Sequence, residues 1–327
     1  MDILKMSAVL FLLFSRFHGE AEAAGLLSYN FYDQSCPQLE SIVRSELRTL
    51  SLTDPTAPAA LLRLLFHDCQ VQGCDASILL DLNGVTTQYS EMASSKNFGV
   101  RKRETISLIK STVETMCPQQ VSCSDILVLA AREAVALSGG PRIDVPLGRR
   151  DSSNPPNVGF VDASLPPADI GVDGVLKLFA KKGMTVEETV AILGAHTLGV
   201  THCSNLQSRL YNPATKQGYA VNPGFENTLK ISCPLGPLAS KIRFVENDVT
   251  SVLFDNRYYI SSMNGRGVLR IDSEMPLDFR TRPFVEKFAI NQEAFFQAFS
   301  SAFVKLSSFE VLTGNQGVIR TRCNALN

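Results

Sequence analysis

The chain has 327 residues, with 31 Lys and Arg against 32 Asp and Glu, eight Cys and no Trp. Apolar residues make up 45%, enough for a sizeable core, which excludes a disordered or fibrous chain. A formal charge of -1 offers no general field to nucleic acid or anionic lipid, and at roughly 150 residues per domain the length allows two domains or one two-lobed fold.

Lys5 precedes the apolar run Ala8-Val9-Leu10-Phe11-Leu12-Leu13-Phe14, and the small residues Ala21-Glu22-Ala23-Ala24 follow. That order reads as a secretory signal peptide over residues 1–24, cleaved near Ala24. A membrane anchor needs about 20 apolar residues, whereas this run ends at Phe14 with Arg16 behind it. Cleavage leaves a formally neutral chain over residues 25–327, whose cysteines meet an oxidising environment.

Most of that chain reads as helix. Pro58 stands where a first turn tolerates proline, ahead of the helix formers Ala59-Ala60-Leu61-Leu62-Arg63-Leu64-Leu65-Phe66-His67. Ser122 opens a second apolar helix that runs to a Gly139-Gly140-Pro141 stop. From Pro141 to Pro167 the pattern dissolves into Pro, Asn, Gly and Asp, a long irregular connection between an N-terminal lobe of about residues 25–150 and a C-terminal lobe of about 165–327. Thr185-Val186-Glu187-Glu188 is a capping box leading to Leu193-Gly194-Ala195-His196. Phe284, Phe288, Phe295, Phe299 and Phe303 recur at helical spacing and predict a buried face. With no β-rich region and no internal repeat, the fold class is mainly α.

Arg63 and His67 sit four apart and project from one helix face among Leu64, Leu65 and Phe66. A guanidinium beside an imidazole on an apolar helix is costly unless something polar uses it. In the continuation, Asp68, Asp75 and Ser77 offer side-chain oxygens, while Val71 and Gly73 offer carbonyls, a hard-oxygen set suited to Ca²⁺. A solvated acidic turn reads equally well from this loop alone. Cys69 and Cys74 are too far apart for a redox pair, and oxidised cysteines do not suit zinc. His196 ends the capped helix between Gly194 and Gly199, close enough to approach a flat ligand. Thr197 followed downstream by Asn247, Thr250, Leu253 and Asp255 repeats the oxygen types of a second Ca²⁺ site, and Asp272 is a carboxylate available to orient His196.

Together these residues resemble one family, the secretory plant (class III) haem peroxidases. The resemblance rests on Leu62-Arg63-Leu64-Leu65-Phe66-His67-Asp68-Cys69, Gly73-Cys74-Asp75-Ala76-Ser77 and Leu193-Gly194-Ala195-His196-Thr197-Leu198-Gly199. Val121-Ser122-Cys123-Ser124-Asp125 and Val145-Pro146-Leu147-Gly148-Arg149-Arg150-Asp151 add to it. It extends from about Phe31 to Cys323 and implies a two-lobed peroxidase fold with haem b between distal and proximal halves and two Ca²⁺. It also implies the disulfides Cys36–Cys117, Cys69–Cys74, Cys123–Cys323 and Cys203–Cys233. By resemblance His196 is the axial iron ligand, supported by Asp272, with Phe66 against the haem. Arg63, His67 and Asn97 are by resemblance the catalytic residues, Asn97 holding the distal imidazole basic.

Several positions depart from the family pattern. Asn247 stands where an Asp ligand is usual, which implies a weakened second calcium site. Leu165-Pro166-Pro167-Ala168 replaces the commoner Leu-Pro-x-Pro beside the haem edge, so Pro166 and Ala168 are the candidate substrate contacts. Ile143 replaces a common Trp, and Phe98-Gly99 and Lys102-Arg103-Glu104 are also unusual. Three readings are structural: His202 beside a cysteine, Arg149-Arg150-Asp151 as an ion-pair turn, and Arg101-Lys102-Arg103 as a solvated face. There is no Asn-x-Ser/Thr site.

The expected function is reduction of H₂O₂ with one-electron oxidation of small phenolic donors, by a monomer secreted to the extracellular space or cell wall, with roles in wall phenol metabolism and oxidative stress and no nucleic-acid or membrane partner. The short stretch after Cys323, without the extension of some vacuolar relatives, favours the extracellular address. The alternative is a low-activity haem- and calcium-binding scaffold or wall-associated binding protein, suggested by the altered donor region and Asn247.

Overall fold

A computed structural model describes residues 27–81, 90–154, 156–212 and 222–326. The expected signal peptide lies outside the described residues.

Helices dominate, in the order α1 (Leu39–Thr53), α2 (Ala57–Gln72), α3 (Arg103–Met116), α4 (Cys123–Leu137), α5 (Val158–Ser164), α6 (Val172–Ala180) and α7 (Val186–Leu193). After these come α8 (Gln207–Tyr211), α9 (Pro223–Ser232), α10 (Pro237–Ile242), α11 (Arg257–Met263), α12 (Arg270–Glu274), α13 (Arg282–Ile290) and α14 (Gln292–Ser308). The only sheet among the described residues is an antiparallel ribbon of β1 (Val200–His202) and β2 (Phe244–Glu246), with Val200 opposite Glu246.

Local chemistry sets the helix ends. Pro58 lies in the first turn of α2, and the Ser122 side chain accepts from Asp125 N–H to open α4. Thr185 and Glu188 close the capping box of α7 in both directions, at 3.2 and 2.8 Å. The connection from Pro141 to Pro167 is less irregular than expected, because Asn157 accepts from Phe160 N–H and starts α5.

One continuous core runs through both halves. α4 is buried along almost its whole length and packs against α1, α2 and α3, while α14 packs against α7. The phenylalanine stripe forms the second part of this core. Phe288, Phe295, Phe299 and Phe303 are fully buried, and Phe254 stacks on Phe295 at 5.4 Å. The C-terminal segment returns to the first half rather than staying with the second. Cys323 bonds Cys123, Asp81 N–H donates to Asn324 O, and α14 touches α2.

The other disulfides are Cys36–Cys117, Cys69–Cys74 and Cys203–Cys233, and among the described residues no cysteine is free. Arg149 is a buried strut, paired with Asp125 at 2.8 Å and donating to Ser307 O at 2.6 Å. Arg101-Lys102-Arg103 is a partly exposed face that is also tied down: Arg101 and Lys102 each pair with Asp54 at 3.0 Å, and Arg103 pairs with Asp81. These pairs pin the start of α3 to the α1–α2 turn and to the segment before residue 82.

Candidate active site

α2 presents Arg63 and His67 on one face, one turn apart. Arg63 Nε donates to His67 Nε2 at 3.2 Å, and Arg63 Nη2 donates to Phe98 O at 3.0 Å. His67 Nδ1 lies 2.5 Å from Asn97 Oδ1, while Asn97 Nδ2 donates to Glu91 O at 2.8 Å. Because the amide nitrogen is occupied by that carbonyl, Oδ1 must accept, so the proton sits on Nδ1 and Nε2 keeps its lone pair. Burial, then the adjacent Arg63 charge, lowers the His67 pKa to about 3, against the opposing bond from Asn97. His67 is therefore a neutral base at any ordinary pH. Burial also lowers Arg63 to about 10, which leaves it cationic.

His196 occupies a 3-10 turn (Gly194–Thr197) that continues α7. Its Nδ1 is 3.0 Å from Asp272 Oδ1, and among the described residues its Nε2 has no hydrogen-bond partner. A side chain at Gly194 would meet Phe295 Cε2 and Tyr259 Oη at 2.4 Å, so only glycine lets this turn approach α11 and α14. Gly199 has φ +84°, and a Cβ there would lie 2.8 Å from Ala59 Cβ. That contact sets the strand after His196 against α2, one turn before Arg63. His202 reinforces it, packing edge-on to Phe98 at 5.2 Å.

Two oxygen clusters flank the histidines. In the first, Ser77 Oγ lies 2.5 Å from Asp75 Oδ1 and 2.6 Å from Glu91 Oε1, and Asp68 accepts from Ala76 N–H at 3.0 Å. Asp68, Asp75 and Glu91 are buried, and among the described residues Glu91 Oε2 has no partner. Burial is the main cause that raises all three carboxyls, with Glu91 at about 8. Three buried acids with an orphaned oxygen fit a hard cation. Among the described residues no three acid, imidazole or thiolate groups converge by themselves, so the Ser77 hydroxyl and the Val71 and Gly73 carbonyls would be needed to complete the shell. Glu91 was not expected from the sequence. Its role depends on the 14-residue separation from Ser77 being closed by the fold.

In the second cluster, Thr197 Oγ1 lies 2.7 Å from Asp248 Oδ2, 3.3 Å from Asp255 Oδ1 and 3.5 Å from Leu253 O. Thr250 Oγ1 is 3.1 Å from Asp255 Oδ1 and 3.2 Å from Asp248 Oδ1. Asn247 does not belong to it, which corrects the sequence expectation. Its side chain accepts from Thr201 Oγ1 at 2.7 Å and donates to Leu198 O at 3.0 Å. The β1–β2 register causes this, because Asn247 follows Glu246 on the ribbon and its N–H donates to Gly199 O. The next residue, Asp248, turns towards Thr197, so the carboxylate that Asn247 seemed to remove is present one position later. The signal was legible as an Asx turn: Thr250 N–H donates to Asp248 Oδ1 at 2.8 Å.

Phe66 is half-buried and edge-on to His67 at 5.7 Å. Pro166 is partly buried and Ala168 exposed. Their loop is joined to the distal segment, since Lys96 Nζ donates to Asp162 O and Leu165 O and Gln70 Nε2 to Ser164 O. A surface cavity lined by Asp173, Arg270, Glu274, Asp278 and Arg280 shares none of these residues, and Arg270 and Arg280 pair with carboxylates there.

The family model for peroxidases matches residues 43–291. The chain belongs to the class III plant peroxidases. Relatives in Arabidopsis thaliana include Peroxidase 29, 57% identical over 92% of this chain and 89% of its own. Peroxidase 28 is 42% identical over the full length of both chains, and Peroxidase 12 is 41% identical over 92% of this chain and 83% of its own. This peroxidase is a haem-dependent enzyme acting on H₂O₂ and a reducing donor. The residues present fit haem: His196 offers a half-exposed imidazole with an unpaired Nε2 and a carboxylate behind it, and α2 supplies a neutral base beside a cation.

Proposed function

We propose that Arg63, His67 and Asn97 are the catalytic residues and that His196, oriented by Asp272, ligates the iron of haem b. When bound, haem supplies the metal on which peroxide is reduced and the oxidising equivalents that donors then consume. His67 Nε2 accepts a proton from peroxide and returns it to the departing oxygen, releasing water. Arg63 stabilises negative charge on that oxygen as the O–O bond breaks, and the Asn97 carbonyl holds the imidazole in the tautomer this needs. Over a full cycle one H₂O₂ and two donor molecules give two waters and two donor radicals. Small phenols are the proposed donors, meeting the protein near Pro166 and Ala168.

The observation that carries this reading is the His67 Nε2 lone pair, fixed by Asn97 and set against Arg63. His67→Ala is expected to slow peroxide reduction by about 10²–10⁴-fold while the Soret band persists, as measured by stopped-flow absorbance. A variant as active as the parent would overturn the assignment. Absence of a Soret band after reconstitution of the parent with haem, or no peroxide-dependent oxidation of guaiacol, would overturn the whole reading.

Two Ca²⁺ are proposed, one at Asp68, Val71, Gly73, Asp75 and Ser77 with Glu91 nearby, the other at Thr197, Asp248, Thr250, Leu253 and Asp255. A monomer secreted to the extracellular space or cell wall is proposed on the four disulfides and the signal-peptide pattern. The Asp248 carboxylate beside Thr197 supports this reading over a low-activity scaffold.

A further inference from the structure

Asp272 Oδ1 accepts from two side chains at once. His196 Nδ1 lies 3.0 Å away, and Tyr258 Oη donates at 2.7 Å, the shorter of the two. Leu269 N–H donates to Oδ2 at 2.7 Å. Tyr258 and Asp272 are both buried, and the Tyr258 ring stands edge-on to His196 at 5.8 Å. A phenol O–H facing a carboxylate oxygen can only donate, so Tyr258 is the donor of this bond.

The arrangement is held rigidly. Tyr258 lies in α11, whose neighbouring Tyr259 hydroxyl donates to Val190 O and Ala191 O of α7 at 3.0 and 3.3 Å. Asn256, at the start of α11, donates to Phe288 O and Ala289 O of α13. The helix that carries Tyr258 is thereby fixed to the helix that leads into His196.

A carboxylate oxygen that already accepts a strong bond has less power to draw a second proton. The stronger the pull on Nδ1–H, the more charge an imidazole gives its metal, and the lower the reduction potential of that metal. We propose that Tyr258 is a positioning residue that tempers the Asp272–His196 bond and so holds the potential of the bound iron above the value the pair alone would set. This rests on the reading of His196 as the iron ligand.

The test uses the reconstituted holoenzyme, spectroelectrochemical titration of the ferric/ferrous couple and resonance Raman of the ferrous iron–histidine stretch. Tyr258→Phe is expected to lower the potential by an amount on the order of tenfold in the equilibrium, about 59 mV for one electron, and to raise the stretching frequency. Asp272→Asn is expected to move both readouts the other way, and Tyr258→Phe to add little in that background. An iron–histidine band absent from the parent overturns the His196 reading. A band present in the parent, with potential and frequency unchanged in Tyr258→Phe, overturns only the role of Tyr258. Should that variant fail to hold haem, 3-fluorotyrosine at position 258 supplies a stronger donor of nearly equal shape. It is expected to raise the potential, and no shift overturns the proposal.

Discussion

Asn247 and Asp248 illustrate how one residue of register decides chemistry. Spacing from Thr250 and Asp255 pointed to Asn247, but the ribbon gives that side chain to Thr201 and Leu198 and turns Asp248 to Thr197. Asp248→Ala is expected to reduce bound calcium from two ions to one by atomic absorption, whereas Asn247→Ala retains both; the opposite pattern would return the ligand role to Asn247. Arg63 and His67 were legible because four residues on one helix guarantee a shared face. Asn97 and Asp272 were not fixed by spacing, since they meet their histidines across 30 and 76 residues; Asp272 could be read only as an available carboxylate, and the family resemblance alone pointed to Asn97. Glu91 and Tyr258 had no signal of either kind.

At the scale of elements, α7 and its turn position His196, and both depend on close contacts. Gly194→Ala is expected to destabilise the fold by about 1–3 kcal/mol in chemical denaturation, because its methyl group would overlap Phe295 and Tyr259. Glu188 caps the same helix and also meets Lys305 at 2.8 Å. Burial disfavours its charge, but Lys305, Ser301 and Thr185 outweigh burial and hold the carboxyl at about 2, below the usual 4.5. Its contribution to stability is therefore complete above pH 4.5 and lost as the pH falls towards 2. Glu188→Gln is expected to flatten the pH dependence of the melting temperature across that window, and an unchanged slope would count against the cap. The capping box was readable because its parts lie three residues apart. The short α5 was missed because a single Asn cap within a Pro-rich stretch sends a weak signal.

For the whole molecule, the two halves share one core, and the clusters beside each histidine couple cation binding to stability. Without a cation, burial keeps Asp68, Asp75 and Glu91 protonated at pH values where the unfolded chain is ionised. Their folded values are raised, so stability is present at acid pH and falls as pH rises towards the Glu91 value of about 8. With chelator present, the melting temperature is expected to climb as pH is lowered from about 8 to 5, and with calcium that trend is expected to vanish. Calcium at 100 times its dissociation constant adds about 2.7 kcal/mol, and a melting temperature indifferent to chelation would exclude both sites. Mainly helical architecture was legible from periodicity and caps. The return of the C-terminal segment to the first half was not, since nothing local in the sequence around Cys323 names its destination.

The four disulfides also fix how the chain can come apart. Every peptide bond from Cys36 to Cys117 and from Cys123 to Cys323 lies inside at least one covalent ring, so a single cut there leaves one molecule. Only cleavage in the turn between Cys117 and Cys123 would divide the protein within these limits, and Pro118-Gln119-Gln120-Val121-Ser122 contains no Lys or Arg for trypsin. Tryptic nicking between Cys36 and Cys323 is thus expected to leave a species that migrates as one band until it is reduced. The halves that carry His67 and His196 thus remain one object after any single nick outside the Cys117–Cys123 turn.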